Sequence, residues 1–251
     1  MERARLAFLV RLSVAMVATV VVVDSAVSRA SGSANAPAPT TTTSAPPVTL
    51  VPLASTPGVA PVVTRVETTD PVVFLTIDDG WTRSPDVSAA FAELGVPATL
   101  FLLDGPLEAD PGFFRGLPDT VVESHTRTHP DLSTLSEEQQ RAEICGNADM
   151  IGQTFGRRPV LFRPPYGAYN GTTQRAAADC GMAAVVMWEA TVDEEGVISH
   201  SGLPQLRRGD ILLMHFRPSF VTELRALAEE VEAAGLRFAL LEDYLVPDSV
   251  G

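Results

Sequence analysis

The chain has 251 residues, of which 45% are hydrophobic, and this content excludes wholesale disorder. It carries 18 basic and 31 acidic residues, and the net charge of −13 argues against nucleic acid as a partner, because proteins that bind nucleic acid present a basic surface. Every basic residue is an arginine, which excludes Schiff-base chemistry, a lysine nucleophile and a lysine-dependent phosphate loop.

The N-terminal 30 residues have the character of an export signal. Arg3 and Arg5 precede an apolar run at residues 12–23. This run is short for a bilayer span of about 20 residues and better suited to the hydrophobic region of a signal peptide. We therefore predict a signal peptide at residues 1–30, with an uncleaved N-terminal membrane anchor as the alternative. Both interpretations place the protein outside the cytoplasm, either secreted or associated with the cell envelope.

Residues 31–64 are predicted to form a linker rich in Pro, Thr and Ala. The stretch 31–61 contains no charged residue and cannot bury enough apolar surface to offset the entropy lost on ordering. Pro46 and Pro47 favour extended polyproline geometry, so the segment is expected to act as a semi-rigid tether. The folded domain is predicted to occupy residues 65–251.

Short apolar runs alternate with amphipathic stretches along this domain, which is typical of α/β folds. A buried strand is predicted from the continuous apolar run at 72–77. Further strands are predicted at 98–103, 120–123, 160–162, 183–188, 211–215 and 237–241. Helices are predicted from their cap residues at 84–95, 134–156, 171–181 and 222–235. Thr134 and Glu137 are expected to form the capping box of the second helix. About seven strands, each followed by a helix or loop, predict a barrel or an open parallel sheet with its functional groups at the strand carboxyl ends.

Two adjacent carboxylates, Asp78 and Asp79, directly follow the first buried strand. Because consecutive strand residues point to opposite sides, one carboxylate can face a metal ion while the other faces substrate. Gly80 permits a sharp exit from the strand. The alternative is that Asp-Asp-Gly is a simple turn.

Two histidines, His125 and His129, follow another predicted strand. Their spacing of four predicts that both imidazoles lie on one side of a helical turn. Two histidines and one carboxylate leave open positions on a divalent metal, which is the pattern of a catalytic site. The alternative is a pair of polar loop histidines.

Two further segments place polar groups after strands. In Arg163-Pro164-Pro165-Tyr166 the prolines stiffen the chain, so that the arginine and the Tyr166 backbone N–H can be fixed donors to a developing oxyanion. His215 ends an apolar strand, where it can serve as a general acid. The alternatives are a rigid turn with a surface arginine and a half-buried histidine without a catalytic role.

Together these segments resemble the polysaccharide deacetylase family, also known as the NodB homology domain or carbohydrate esterase family 4. The resemblance spans nearly all of residues 70–241. Its four ordered motifs are Thr76-Ile77-Asp78-Asp79-Gly80, Ser124-His125-Thr126-Arg127-Thr128-His129, Arg163-Pro164-Pro165-Tyr166-Gly167 and Leu213-Met214-His215. The resemblance implies a distorted, incomplete (β/α) barrel and metal-dependent removal of N- or O-acetyl groups from a polysaccharide.

The resemblance also implies a ligand set for the metal. Asp79, His125 and His129 would bind one divalent ion. Zn²⁺ is expected first, with Co²⁺ or another first-row ion as the alternative.

Catalytic roles follow from the same motifs. Asp78 would be the general base and His215 the general acid. Arg163 would orient and tune the base, and the Tyr166 backbone N–H would help to hold the oxyanion.

One family motif, Asp-x-x-Asp-Trp, lacks its first Asp and its Trp in this chain. Asp193 or Glu189 is expected to replace the carboxylate partner of Arg163, and Asp193 is counted among the substrate-binding residues. Trp81 is expected to offer a face for stacking on a sugar, with partly buried packing as the alternative.

The two cysteines, Cys145 and Cys180, lie on two predicted helices. In an exported protein an even pair permits a disulfide. The alternative is two separate buried thiols.

The predicted function is that of a metal-dependent deacetylase acting on a glycan such as peptidoglycan, chitin-type oligomers or xylan. The alternatives are a non-catalytic carbohydrate-binding relative and a hydrolase of non-sugar amides. Intact Asp78 and His215 argue against the binding relative, which would need neither. The choice of sugar and the oligomeric state stay open at this point.

Overall fold

A computed structural model describes residues 56–194, 196–199 and 205–245. The predicted signal peptide and most of the predicted linker, residues 1–55 in all, lie outside the described residues. Within the described ranges, no helix has the length and apolar character needed to cross a membrane.

The described strands form one curved sheet. Their bounds are β1 Val62–Val63, β2 Val72–Asp79, β3 Ala98–Leu102, β4 Thr120–Ser124, β5 Leu161–Phe162, β6 Ala184–Val186, β7 Ala190–Asp193, β8 Gly196–Ser199, β9 Ile211–His215 and β10 Arg237–Phe238. The order across the sheet is β1-β6-β5-β4-β3-β2-β9-β7-β8, and β10 pairs with β2. Pairing is parallel except between β7 and β8. The sheet curls into an open half-barrel, which confirms the predicted incomplete (β/α) barrel.

Helices pack on both sides of this sheet, the longer ones on the outside and the last short one against the inside. Their bounds are α1 Pro85–Leu94, α2 Asp104–Ala109, α3 Pro111–Arg115, α4 Glu137–Phe155, α5 Gly171–Asp179, α6 Phe220–Ala233 and α7 Glu242–Leu245. The four predicted helices correspond to α1, α4, α5 and α6. The predicted capping box was wrong by two residues, because Ser136 caps α4 and exchanges hydrogen bonds with Gln139.

All seven predicted strands are present, and three further strands were not predicted. The first of these, β1, lies before the predicted domain start at residue 65. It pairs with β6, and the neighbouring Ala60 is buried, so the folded body begins upstream of that boundary. The other two form the β7–β8 hairpin at one edge of the sheet.

The two faces of the sheet bury separate cores. Residues Ile77 and Met214 face the outer helices, whereas Phe74 and Ile211 face the inside of the half-barrel. Side chains alternate along a strand, and paired residues on neighbouring parallel strands point to the same side. Asp78 is paired with His215, so both belong to the inner face, at the carboxyl ends of β2 and β9.

A disulfide joins Cys145 in α4 to Cys180, the residue after α5. Their Cα atoms are 5.0 Å apart. The predicted bridge is therefore present, and it ties together two helices that flank the same side of the sheet.

Candidate metal centre and active site

Three side chains predicted to bind a metal ion converge at one end of the half-barrel. Asp79 ends β2, and His125 and His129 lie in the loop after β4. The Oδ1 atom of Asp79 is 3.5 Å from Nε2 of His125 and 3.4 Å from Nε2 of His129. Two metal–ligand bonds of about 2.1 Å at a tetrahedral angle place the ligand atoms about 3.4 Å apart, so these separations suit one ion of zinc-like size.

The hydrogen bonding of these residues also suits a metal ion. Asp79 Oδ1 is buried and has no hydrogen-bond partner, a state that is costly unless a cation satisfies the oxygen. Nδ1 of His125 is 2.8 Å from the Arg163 carbonyl oxygen, to which it donates, and this leaves Nε2 as the free acceptor. Burial lowers the pKa of His125, although Asp78 and Asp79 oppose the shift, and a neutral ring is the form that binds metals. The residues present therefore fit the metal that the sequence predicts.

The two histidines do not share a helical turn, and that expectation was wrong. Residues 125–129 form an irregular loop in which Thr126 and His129 have φ angles of 75° and 64°. The backbone N–H of His129 donates to Oγ1 of Thr126 at 3.1 Å, which folds the loop back on itself. The spacing brings the rings together through this tight loop.

Asp78 lies directly behind the metal cluster. It is 3% exposed, and its Oδ1 accepts a hydrogen bond of 2.8 Å from Nη1 of Arg163. Its Oδ2 is 3.7 Å from Nε2 of His125. Burial lowers the pKa of the fully buried Arg163, and the charge and hydrogen bond of Asp78 oppose that shift. Asp78 therefore has one oxygen, Oδ1, held by Arg163 and a second, Oδ2, available to accept a proton beside the metal ligands.

The other hydrogen bonds of Arg163 in the described residues are made without a second carboxylate. Its Nε donates to the Val186 carbonyl at 3.2 Å, and its Nη2 donates to the Met187 carbonyl at 3.0 Å. Its Nη1 also donates to Oγ1 of Thr76 at 2.7 Å. Backbone carbonyls thus occupy the place expected for a replacement carboxylate.

Neither Glu189 nor Asp193 takes that place. Glu189 accepts a hydrogen bond from Arg207, 2.8 Å away. Asp193 ends β7 and lines a separate hollow of about 210 Å³ between the β7–β8 hairpin and α6. The described hydrogen bonds of Arg163 include neither residue, so the structure corrects the expectation that one of them partners Arg163. The role of Asp193 in substrate binding stays a prediction.

Trp188 packs beneath the third motif. Its ring centroid lies 5.6 Å from the guanidinium of Arg163. Gly167 has a φ of 67°, and a Cβ there would lie 2.9 Å from Met187 and 3.1 Å from Trp188. Only glycine fits this turn, and Trp188 provides an apolar surface beside the third motif.

His215 lies on the inner face beside Asp78, and its ring is held by Arg217. Nη2 of Arg217 is 3.2 Å from Nδ1 of His215. Arginine can only donate, so Nδ1 is the acceptor and the neutral ring carries its hydrogen on Nε2. No sequence signal marked Arg217, because it stands two residues beyond the motif in an irregular segment.

A cleft of about 630 Å³ opens at the metal cluster, where Asp79 and His129 contribute to its wall. Trp81 and Tyr166 also line it and are 60% and 71% exposed. The Tyr166 ring packs edge-on against His129 with centroids 4.6 Å apart, and its backbone has a φ of 61°. The Trp81 ring lies over Gly105, where a Cβ would approach to 2.8 Å. Both aromatic faces are therefore available to a ligand.

An open (β/α) half-barrel with polar groups at the strand carboxyl ends and a compact Asp-His-His cluster defines a class of α/β proteins with a candidate metal centre. Comparison with known proteins narrows this class. Residues 65–185 match the sequence profile described as polysaccharide deacetylase. The chain belongs to the polysaccharide deacetylase family.

Two relatives match more than half of the chain. An uncharacterized protein of Streptomyces coelicolor is 43% identical over 193 residues, which cover 74% of this chain and 77% of the relative. A chitooligosaccharide deacetylase of Sinorhizobium fredii is 31% identical over 163 residues, or 61% of this chain and 75% of the relative.

Two solved structures share the fold. The chitin deacetylase of Colletotrichum lindemuthianum has a TM-score of 0.65 at 22% identity and covers 76% of this chain and 94% of its own. A family 4 pseudoenzyme of Bacillus anthracis has a TM-score of 0.64 at 21% identity and covers 73% and 68%. The fold thus occurs both in a deacetylase and in a pseudoenzyme, so the activity has to be argued from the site.

Proposed function

We propose that this protein is a metal-dependent hydrolase that removes acetyl groups from a polysaccharide outside the cytoplasm. The observation that carries the proposal is the buried Asp79 Oδ1, which has no hydrogen-bond partner and lies 3.4–3.5 Å from two histidine Nε2 atoms. The Asp78–Arg163 pair stands directly beside this cluster. The match to a chitooligosaccharide deacetylase supports the same reaction class.

Each residue of the site has a part in the proposed reaction. A divalent ion held by Asp79, His125 and His129 would polarise the acetyl carbonyl and lower the pKa of a water molecule towards about 7. Asp78 accepts the proton of the attacking water on Oδ2, because Arg163 fixes its Oδ1.

The later steps fall to Tyr166 and His215. The Tyr166 backbone N–H donates to the oxyanion that forms when the water oxygen attacks the carbonyl carbon. The bond to the sugar nitrogen or oxygen then breaks, and His215 in its imidazolium form, with Nδ1 released from Arg217, delivers a proton from Nε2 to that leaving atom. The proton that Asp78 took from the water restores the imidazolium, so no proton is lost from the balance. The products are acetate and a free amino or hydroxyl group on the glycan.

The exposed rings suggest how the polymer is held. Trp81 and Tyr166 present aromatic faces in the cleft, and aromatic rings offer large apolar surfaces against which a sugar ring can stack. The predicted export signal favours a glycan of a cell wall, such as peptidoglycan, chitin-type oligomers or xylan. We propose an extracytoplasmic location on the same ground.

The test is acetate release from a panel of acetylated glycans, with and without a chelator. Chelation is expected to abolish release, and Asp78→Asn is expected to lower kcat by about 10²–10⁴-fold. Asp243→Asn, an exposed position on α7, is the matched control and should keep the wild-type rate. Wild-type turnover by Asp78→Asn would remove this residue from the mechanism. Metal binding without acetate release from any glycan would favour the carbohydrate-binding alternative, and release from simple amides alone would favour the non-sugar hydrolase.

A further inference from the structure

The loop that carries both histidines is held in place from outside. Residues 125–129 have no helical or strand structure, and Thr126 and His129 adopt left-handed backbone conformations. Such conformations are strained in residues other than glycine and persist where surrounding contacts impose them. Most of those contacts come from one face of α4.

Asn147 of α4 ties the start of the loop to the ends of two strands. It is completely buried, and its Oδ1 accepts from Oγ of Ser124 at 2.7 Å and from the backbone N–H of His125 at 3.2 Å. Its Nδ2 donates to the Leu102 carbonyl at 3.1 Å and to Oδ1 of Asp104 at 2.8 Å. The full hydrogen-bonding capacity of the amide is therefore used, and two of its four bonds hold Ser124 and His125 at the start of the loop.

Glu143 lies one turn earlier on α4 and fixes the middle of the loop. Its Oε2 accepts from the backbone N–H groups of Arg127 and Thr128, each at 2.9 Å. Its Oε1 accepts from Oγ1 of Thr128 at 2.8 Å. Arg127 also donates through Nε to Oδ2 of Asp104 at 2.9 Å, the carboxylate that Asn147 holds by its other oxygen. The two α4 residues thus belong to one connected network around the loop.

We propose that Glu143 and Asn147 are positioning residues for the metal centre, which preset the separation of the His125 and His129 rings before an ion binds. This inference rests on the metal site of the proposed function but not on the deacetylase reaction. Positions 143 and 147 are four apart in the sequence, so both side chains lie on the same face of α4 and act on the loop together.

The test measures metal affinity of the full chain by titrating Co²⁺ or Zn²⁺ against a competing chelator, and records the visible spectrum of the Co²⁺ form. Glu143→Gln has the shape of the native side chain, but its amide nitrogen cannot accept a hydrogen bond. Loss of outer-shell partners typically weakens metal binding by about 10–100-fold, which is the change expected here, together with an altered Co²⁺ spectrum. Glu138→Gln, at an exposed position of the same helix, is the matched control and should bind as the wild type does.

A milder variant guards against a folding defect. Thr128→Val removes only the hydroxyl bond to Glu143, and a smaller loss of affinity is expected. Thermal unfolding of the metal-free proteins identifies which variants are folded. Wild-type affinity and an unchanged spectrum in the folded variants would overturn the inference. If the variants bind metal more weakly and the wild type releases no acetate, the inference is supported and the deacetylase function is refuted. If the variants bind metal as the wild type does and the wild type releases acetate, the deacetylase function is supported and the inference is refuted.

Discussion

The stability of this protein is expected to fall as the pH rises towards 8, because of one enclosed carboxyl group in α7. Oε2 of Glu242 accepts a hydrogen bond of 2.8 Å from Oγ1 of Thr99, and its Oε1 is buried without a hydrogen-bond partner. Burial raises the pKa of Glu242 from 4.5 to about 8, the neighbouring Glu123 adds to the shift, and Thr99 and Arg157 oppose it.

The direction of this change in stability with pH follows from proton binding. Between about pH 4.5 and 8 the folded protein keeps a proton on Glu242 that the unfolded chain has released. The stabilisation is complete below pH 4.5 and is lost as the pH rises through the folded-state pKa. One proton corresponds to a slope of at most about 1.4 kcal/mol per pH unit in the free energy of unfolding. The total over this window is therefore a few kcal/mol, a large fraction of the stability of a typical domain.

The assay is urea unfolding between pH 5 and 9 for the wild type and Glu242→Gln. The variant cannot titrate at this position, so its unfolding free energy should fall less steeply and should exceed that of the wild type at pH 8 and above. Burial raises the pKa of Glu123 as well, but Glu123 is present in both proteins, so the difference between the two curves reports Glu242. Asp243→Asn, an exposed neighbour on α7, should follow the wild-type curve. Parallel curves for the wild type and Glu242→Gln would refute the assignment of an enclosed, neutral carboxyl group.

Two further outcomes are expected. Replacing both Cys145 and Cys180 by alanine should lower the free energy of unfolding by about 4 kcal/mol, because the bridge closes a loop with a sequence separation of 35. A loss below about 1 kcal/mol in urea titrations would contradict this value. Trp81→Ala should raise KM for a polymeric glycan by about 5–30-fold, the equivalent of one or two kcal/mol, and should leave the hydrolysis of a small acetyl ester unchanged. An equal loss of activity on both substrates would show that the ring supports the site and does not hold the polymer.

The central strands β2, β3 and β9 were predictable because nearly every residue in them is buried, so that each contains a long apolar run. The β7–β8 hairpin was not, since it lies at the sheet edge and β7 mixes apolar residues with Thr191 and Asp193. The start of α4 shows a different difficulty. Thr134 with Glu137 and Ser136 with Gln139 are both capping-box patterns, and the choice depends on the 3₁₀ turn Leu132–Thr134 that precedes the helix.

The residues of the candidate site also divide into those that the sequence predicts and those that it does not. The motif residues were predictable because carboxylates and histidines at strand ends have few structural uses and a clear chemical one. The residues that hold them, Glu143, Asn147 and Arg217, are ordinary polar residues whose roles depend on contacts across the fold. One signal was available: Gln140 and Asn147 occupy the buried face of α4 together with Ile144 and Ile151, and a polar residue on such a face requires a partner.

The distribution of backbone strain explains why the altered Asp-x-x-Asp-Trp motif leaves the rest of the site in place. In the described part of the chain, five non-glycine residues have positive φ, and four of them belong to the site: Asp79, Thr126, His129 and Tyr166. The fold thus imposes these unfavourable conformations, and the three candidate ligands stand at separations that suit one ion. Arg163 is likewise held by the Val186 and Met187 carbonyls, which no side-chain substitution in the Asp-x-x-Asp-Trp motif removes. The geometry of the Asp78–Arg163 pair therefore depends on the course of the backbone after β6. The missing carboxylate of the Asp-x-x-Asp-Trp motif disturbs this geometry less than the motif pattern alone implies.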